Sequence, residues 1–190
     1  MVAQVNKGKI SFDKEDSKWM YLKGTAQWAH ILEPNQFDKF SVDLYGEDVE
    51  ELAEELENML DEVYQAVEEA GKKIAGKADI YRVNEETGKK YLQFGMNAEY
   101  DGKPNHIDIY DVYGKKVTDT WDKLIGNGST LKIKVQFKPY YMASTKMVGL
   151  SKKFYAVQVI DLVEYAGDNS GFGNEAGAEG DAPFDTNEDF

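Results

Sequence analysis

Residues 131–138 alternate over all eight positions. Leu131, Ile133, Val135 and Phe137 take one set, and Lys132, Lys134, Gln136 and Lys138 the other. Side chains of a strand point to opposite faces in turn, so this octet reads as a strand with one face in a core. Lysines at every second position cannot all be core. The chain must therefore build a sheet whose opposite face is cationic and open to solvent or to a ligand.

Other stretches join this sheet. Residues 19–22 run into 24–32, rich in aromatics and stopped by Glu33-Pro34-Asn35. Phe40, Val42 and Leu44 alternate with Ser41, Asp43 and Tyr45 until Gly46. Short strands are predicted at 80–83, 91–94 and 106–110, separated by turn clusters at 84–90 and 101–105, and a last one at 154–165. Between them lies one amphipathic helix, 47–70. Val49, Leu52, Ala53, Leu56, Leu60, Val63, Val67 and Ala70 follow its three-and-four spacing, and acids crowd its first turns. At about 1.5 Å per residue it is about 36 Å long. Five or more antiparallel strands around one long helix predict a mainly β protein. A five-stranded antiparallel barrel of OB type is favoured over an open α+β sheet.

Net charge is −13, but it is unevenly spread. Residues 47–70 hold eleven acids and no base, 71–165 have a net charge of +5, and 166–190 hold seven acids and no base. A basic body thus lies between two acidic segments, a pattern of nucleic-acid partners and of charged interaction tails. Residues 166–190 contain no Val, Ile or Leu, five glycines and three phenylalanines (Phe172, Phe184, Phe190). Such a stretch cannot bury enough apolar surface to offset its ordering entropy, which predicts a domain over 1–165 and a disordered acidic tail over 166–190.

Several chemistries drop out. There is no cysteine, hence no disulfide, thiol nucleophile or Cys-ligated zinc, and the two histidines, His30 and His106, are few for a metal site. No apolar run approaches a membrane span, and the first residues lack a secretory pattern, so a soluble cytoplasmic protein is expected. Asp108 and Asp111 could form a metal nuclease pair, but strand parity puts them on opposite faces. Gly126-Asn127-Gly128-Ser129 lacks the Lys-Ser/Thr ending of a P-loop and precedes a strand, so it reads as a tight turn. No catalytic group, metal or cofactor is expected.

Binding chemistry is better represented. From Lys123 to Lys153 there are seven lysines and no acid. Lys132, Lys134, Lys138, Lys146, Lys152 and Lys153 are candidate phosphate contacts. Tyr140 and Tyr141 follow Pro139, with Phe154 and Tyr155 just beyond. Cations that track phosphates and rings that stack bases are what a single strand of nucleic acid requires. A solvated sheet face with incidental tyrosines is the alternative.

With these residues in place, the chain resembles the single-stranded DNA-binding proteins of T-odd-type tailed bacteriophages. Gly24-Thr25-Ala26 through Pro34, Val42-Asp43-Leu44, His106-Ile107 with Gly114-Lys115-Lys116, residues 126–140 and Asp189-Phe190 carry the likeness in order. The resemblance implies an OB fold and an acidic tail ending in phenylalanine. It places Lys132 and Lys134 on the basic strand and Tyr140 at a base-stacking position. Met142 stands where the family has a tryptophan, and a basic position near Gln93 is missing, so stacking would fall to Tyr141 or Trp28. It implies a non-catalytic protein, commonly a homodimer, that coats single-stranded DNA in replication, recombination and repair in the bacterial host's cytoplasm. Its tail, through Glu188, Asp189 and Phe190, would contact the phage DNA polymerase and helicase-primase. The rival reading is an acidic, DNA-mimicking inhibitor of a host protein.

Overall fold

The computed structural model describes residues 3–6, 9–12 and 19–165, and the predicted tail with Glu188, Asp189 and Phe190 lies outside them. The strands are β1 (Ala3–Asn6), β2 (Lys9–Phe12), β3 (Trp19–His30) and β4 (Lys39–Tyr45), followed by the helix α1 (Glu47–Glu69). Then come β5 (Gly76–Lys77), β6 (Arg82–Val83), β7 (Lys90–Asn97), β8 (Glu99–Tyr100), β9 (Lys103–Pro104) and β10 (Asp108–Tyr110). A 3-10 turn at Thr118–Thr120 precedes the two longest strands, β11 (Thr130–Met142) and β12 (Met147–Asp161).

The main sheet runs β10-β12-β11-β3-β4-β7-β6. β12 also comes against β7, without a ladder between them, so the sheet curls until its ends approach. Five staves therefore close in the order β3-β4-β7-β12-β11, and the four pairings among them are antiparallel. This is the expected OB-type barrel. Two additions are parallel: β10 and β5 both pair with β12. β1 and β2 form a separate hairpin.

Alternation explains the interior. Leu131, Ile133, Val135 and Phe137 of β11 are buried, as are Phe40, Val42 and Leu44 of β4 and Leu92 and Phe94 of β7. Phe94 and Phe137 meet edge to face across the core, ring centres 6.0 Å apart. α1 packs against all five staves and so lies across one end of the barrel. Its buried stripe is Val49, Leu52, Ala53, Leu56, Leu60, Val63 and Val67. Ala70 is the C-cap rather than part of the stripe, because Gly71 (φ +72) turns left-handed and its N–H returns to the Glu68 carbonyl. Gly24 is required where β3 crosses β4: a Cβ there would sit 2.3 Å from the Tyr45 carbonyl oxygen.

Three predicted strands differ from the observed ones. Residues 80–83 give only Arg82–Val83, because Ile80 is buried and its carbonyl accepts from the Lys152 ammonium instead of joining a ladder. Residues 106–110 pair only from Asp108 onward. The last strand spans Met147–Asp161 rather than 154–165, since a tight hairpin returns the chain from β11 directly.

Candidate nucleic-acid interface

β11 and β12 carry most of the basic candidates, and their register sorts them by face. Outward on β11 point Lys132, Lys134, Gln136, Lys138 and Tyr140; opposite them on β12 stand Gln158, Ala156, Lys153, Ser151 and Gly149. The register slips between Lys134 and Val135, which pair with Ala156 and Phe154 and leave Tyr155 as an extra residue. A bulge of this kind re-aims a side chain. Phe154 enters the core, and Tyr155 stands on the outer face beside Trp19, ring centres 4.5 Å apart and nearly perpendicular.

Around Tyr155 rings and cations interleave. The Lys134 ammonium lies 4.5 Å from the Trp19 ring centre and that of Lys132 lies 5.6 Å from the Tyr21 ring centre. Lys132, Lys134 and Tyr21 line a hollow of ≈ 380 Å³ with Tyr155, Gln158, Tyr110 and Asp108. On its other side Tyr155 lines a larger groove of ≈ 690 Å³. That groove has a polar floor from β4 and β7 (Lys39, Ser41, Gln93, Gly95, Asn97) and is flanked by Phe37, Tyr100 and Lys153. Tyr155 belongs to both depressions, which therefore adjoin as a track across the outside of the barrel. Burial pushes the Tyr155 phenol up from its ordinary pKa, which keeps it neutral.

The other candidates separate. Lys138 and Lys146 are exposed, the latter in the turn of the hairpin with φ +56. The Tyr140 ring lies against Gly149, where a Cβ would come within 2.4 Å of it. Two further candidates make inward contacts. Tyr141 points to the inner side, packs on the core and donates its hydroxyl proton to the Lys73 carbonyl at 2.9 Å, so it ties the hairpin to the segment after α1. Lys152 shares the inner row of Val148, Leu150 and Phe154, and its ammonium donates to the Ile80 carbonyl, while the residue also lines the larger groove beside Lys153. Burial and the nearby Arg82 hold its pKa below the usual lysine range. Trp28, 66% exposed, sits outside the track in a left-handed conformation (φ +52), with its N–H held by Asn127 Oδ1 at 2.8 Å.

The weaker chemical candidates are occupied by structure. Asp108 pairs with Lys116 at 2.8 Å and His106 at 3.2 Å, while Asp111 accepts from the Tyr113 and Lys115 backbone in a turn. Among the described residues no three His, Asp or Glu side chains are grouped to hold a metal ion. In the 126–129 turn the buried Ser129 hydroxyl lies 2.8 Å from the Gly126 carbonyl and accepts the Val163 N–H.

Trp19, Tyr155, Phe37, Tyr100 and Lys39 were not among the sequence candidates. The available signal was an exposed phenylalanine just after a Pro-Asn turn and the outward set Lys39, Ser41 of a strand with a clear period.

Asp43 lies below the groove, opposite Gln93 in the ladder, and is buried. Burial raises its pKa, against a hydrogen bond from Gln93 and the charge of Arg82. A carboxyl with a raised folded-state pKa costs stability as pH climbs through and above the ordinary aspartate value, because the unfolded chain ionises first. Asp43→Asn should therefore melt higher than the parent near pH 7, with the gap closing near pH 3, where both states are protonated. Thermal melts across that range check it.

A five-stave sheet curled into a half-barrel, whose second and third staves floor a groove walled by rings and lysines, is OB-like, and in OB folds that face and its adjoining loops are the usual ligand surface. Two solved structures are similar in fold. One is gp2.5, a single-stranded DNA-binding protein encoded by bacteriophage T7, with TM-score 0.65 and 21% identity over 87% of this chain and 98% of that one. The other is the single-stranded DNA-binding protein from bacteriophage Enc34, with TM-score 0.51 and 10% identity over 80% of this chain and 86% of that one. No family profile matches the sequence, and no curated protein sequence matches it.

Proposed function

We propose that this chain is a bacteriophage single-stranded DNA-binding protein that holds DNA along the track centred on Tyr155. The observation that carries this is the run of rings and cations on one outer face: Phe37, Lys39 and Tyr100 around the groove, then Lys153, Tyr155, Trp19, Lys134, Tyr21 and Lys132. Bases stack on such rings without regard to sequence, and lysines between them meet phosphates. The phage proteins that share the fold are named for that ligand, which supports the reading.

On this reading the protein is a non-catalytic partner in replication, recombination and repair in the bacterial host's cytoplasm, acting as a homodimer. Residues 166–190 compete with DNA for the basic face, and Glu188, Asp189 and Phe190 recruit the polymerase and helicase-primase. The test is binding of single- and double-stranded oligonucleotides over a salt series. With Lys39, Lys132, Lys134 and Lys153 as phosphate contacts, log affinity for single strands should fall with log salt at a slope of about −3, from about −0.7 per phosphate. A slope near zero, or a preference for duplex, removes the assignment. The solvent-facing acids of α1, such as Glu50, Glu54 and Glu57, favour the DNA-mimic reading as the alternative. That reading predicts no DNA binding at any salt.

A further inference from the structure

On the far side of the loop between β3 and β4 lies a second depression, of ≈ 670 Å³. Trp28, Leu32, Leu124, Val163 and Tyr165 line it, and each is at least 36% exposed. So much apolar surface gathered in one place, apart from the ring-lined track, marks a docking surface. Its charged lining residues are Glu33 and Glu164, and the Glu164 carboxylate is paired with the Lys123 ammonium at 3.0 Å. Trp28 is held out in the left-handed region, which a bulky residue adopts only where its surroundings impose it. Asn127 on one side and the register shift of β3 against β4 on the other impose it here.

We propose that Phe172 of this same chain docks on this patch. Tyr165, where the described chain stops, itself lines the depression. Phe172 is seven residues further on, within reach at up to about 3.5 Å per residue. Phe184 and Phe190 are nineteen and twenty-five residues away. Effective concentration falls roughly as the −3/2 power of tether length, which favours Phe172 by about four- to seven-fold. Neighbouring charge points the same way. Phe184 adjoins Asp185 and Phe190 adjoins Asp189, whereas Phe172 stands between Gly171 and Gly173. With Glu33 on the rim and Glu164 already paired with Lys123, the patch offers an adjoining aspartate no cation, whereas glycine neighbours bring no charge that needs one.

Asn35 lines both this patch and the larger groove, so the two depressions adjoin. Phe172 is thus an anchor that sets where the acidic stretch leaves the barrel. The docking itself does not depend on DNA binding.

Because the chain has no cysteine, a nitroxide can be placed at Gly173→Cys in the full chain. The expected result is broadening of the Trp28 indole N–H resonance and the Leu32, Leu124 and Val163 methyl resonances. Adding Phe172→Ala should restore their intensity, and adding Phe184→Ala should not. No broadening, or broadening that survives Phe172→Ala, overturns the docking. Neither variant needs DNA, so a failure here is distinct from a failure to bind oligonucleotides.

Discussion

Tyr155→Ala should weaken binding of a single-stranded oligonucleotide by roughly 1–3 kcal/mol, about 5- to 150-fold, while the melting temperature hardly moves. The size follows from its place. Tyr155 lines both halves of the track, so its loss removes a stacking surface and breaks their continuity. It also removes the edge contact that holds Trp19 upright. The ring is half-buried on the outer face, so little core packing goes with it. Its hydroxyl makes only a long contact of 3.4 Å to Gln136, and Tyr155→Phe should keep nearly full affinity. Fluorescence titration at fixed salt reads both variants. An alanine variant that binds like the parent removes the track.

One residue away the outcome reverses. Phe154 is 0% exposed and pairs in the ladder with Val135. Phe154→Ala should cost about 3–5 kcal/mol, because the transfer term and the cavity term add. Against a total of about 5–15 kcal/mol for an ordinary domain, that leaves a protein close to unfolding at body temperature. Urea titration measures the loss, and the fraction still folded should bind oligonucleotide as the parent does. The pair of variants tests the bulge directly. A regular strand would also set the two rings on opposite faces, but the following residues would then be reversed: Ala156 inward and Val157 outward. Val157 is buried and Ala156 is not.

The parts of this fold that were legible are those with a long period. The octet in β11 and the stripe of α1 each repeat often enough that one reading fits. What was not legible depends on partners. Nothing local in Lys152-Lys153-Phe154-Tyr155 says where the extra residue falls. The two lysines therefore looked alike, and both line the groove, although Lys152 is half-buried with its ammonium on the Ile80 carbonyl and Lys153 is exposed. The strands β5 and β10 are two and three residues long, too short to show a period, and their parallel pairing comes from long-range contact alone. Ser41 reads as an ordinary solvent-facing position, and Gly95 and Asn97 lie beyond the predicted 91–94 strand, yet all three line the groove with Lys153 and Tyr155. The backbone at Trp28 needed the register of β3 and the side chain of Asn127, 99 residues away in sequence.

Closure between β7 and β12 rests on side chains, with no backbone ladder joining them among the described residues. Local opening has least to break there, and amide exchange should report that line as the barrel's weakest. The main groove straddles it, with Gly95 and Asn97 on one bank and Lys153 and Tyr155 on the other. A polymer laid across both banks acts as a suture. Bound at a hundred times its dissociation constant, it adds about 2.7 kcal/mol to the folded state, and most of that resistance is felt along the seam. Many such barrels threaded on one strand would each be stiffened where they are softest, so the filament would resist pulling better than its separate beads.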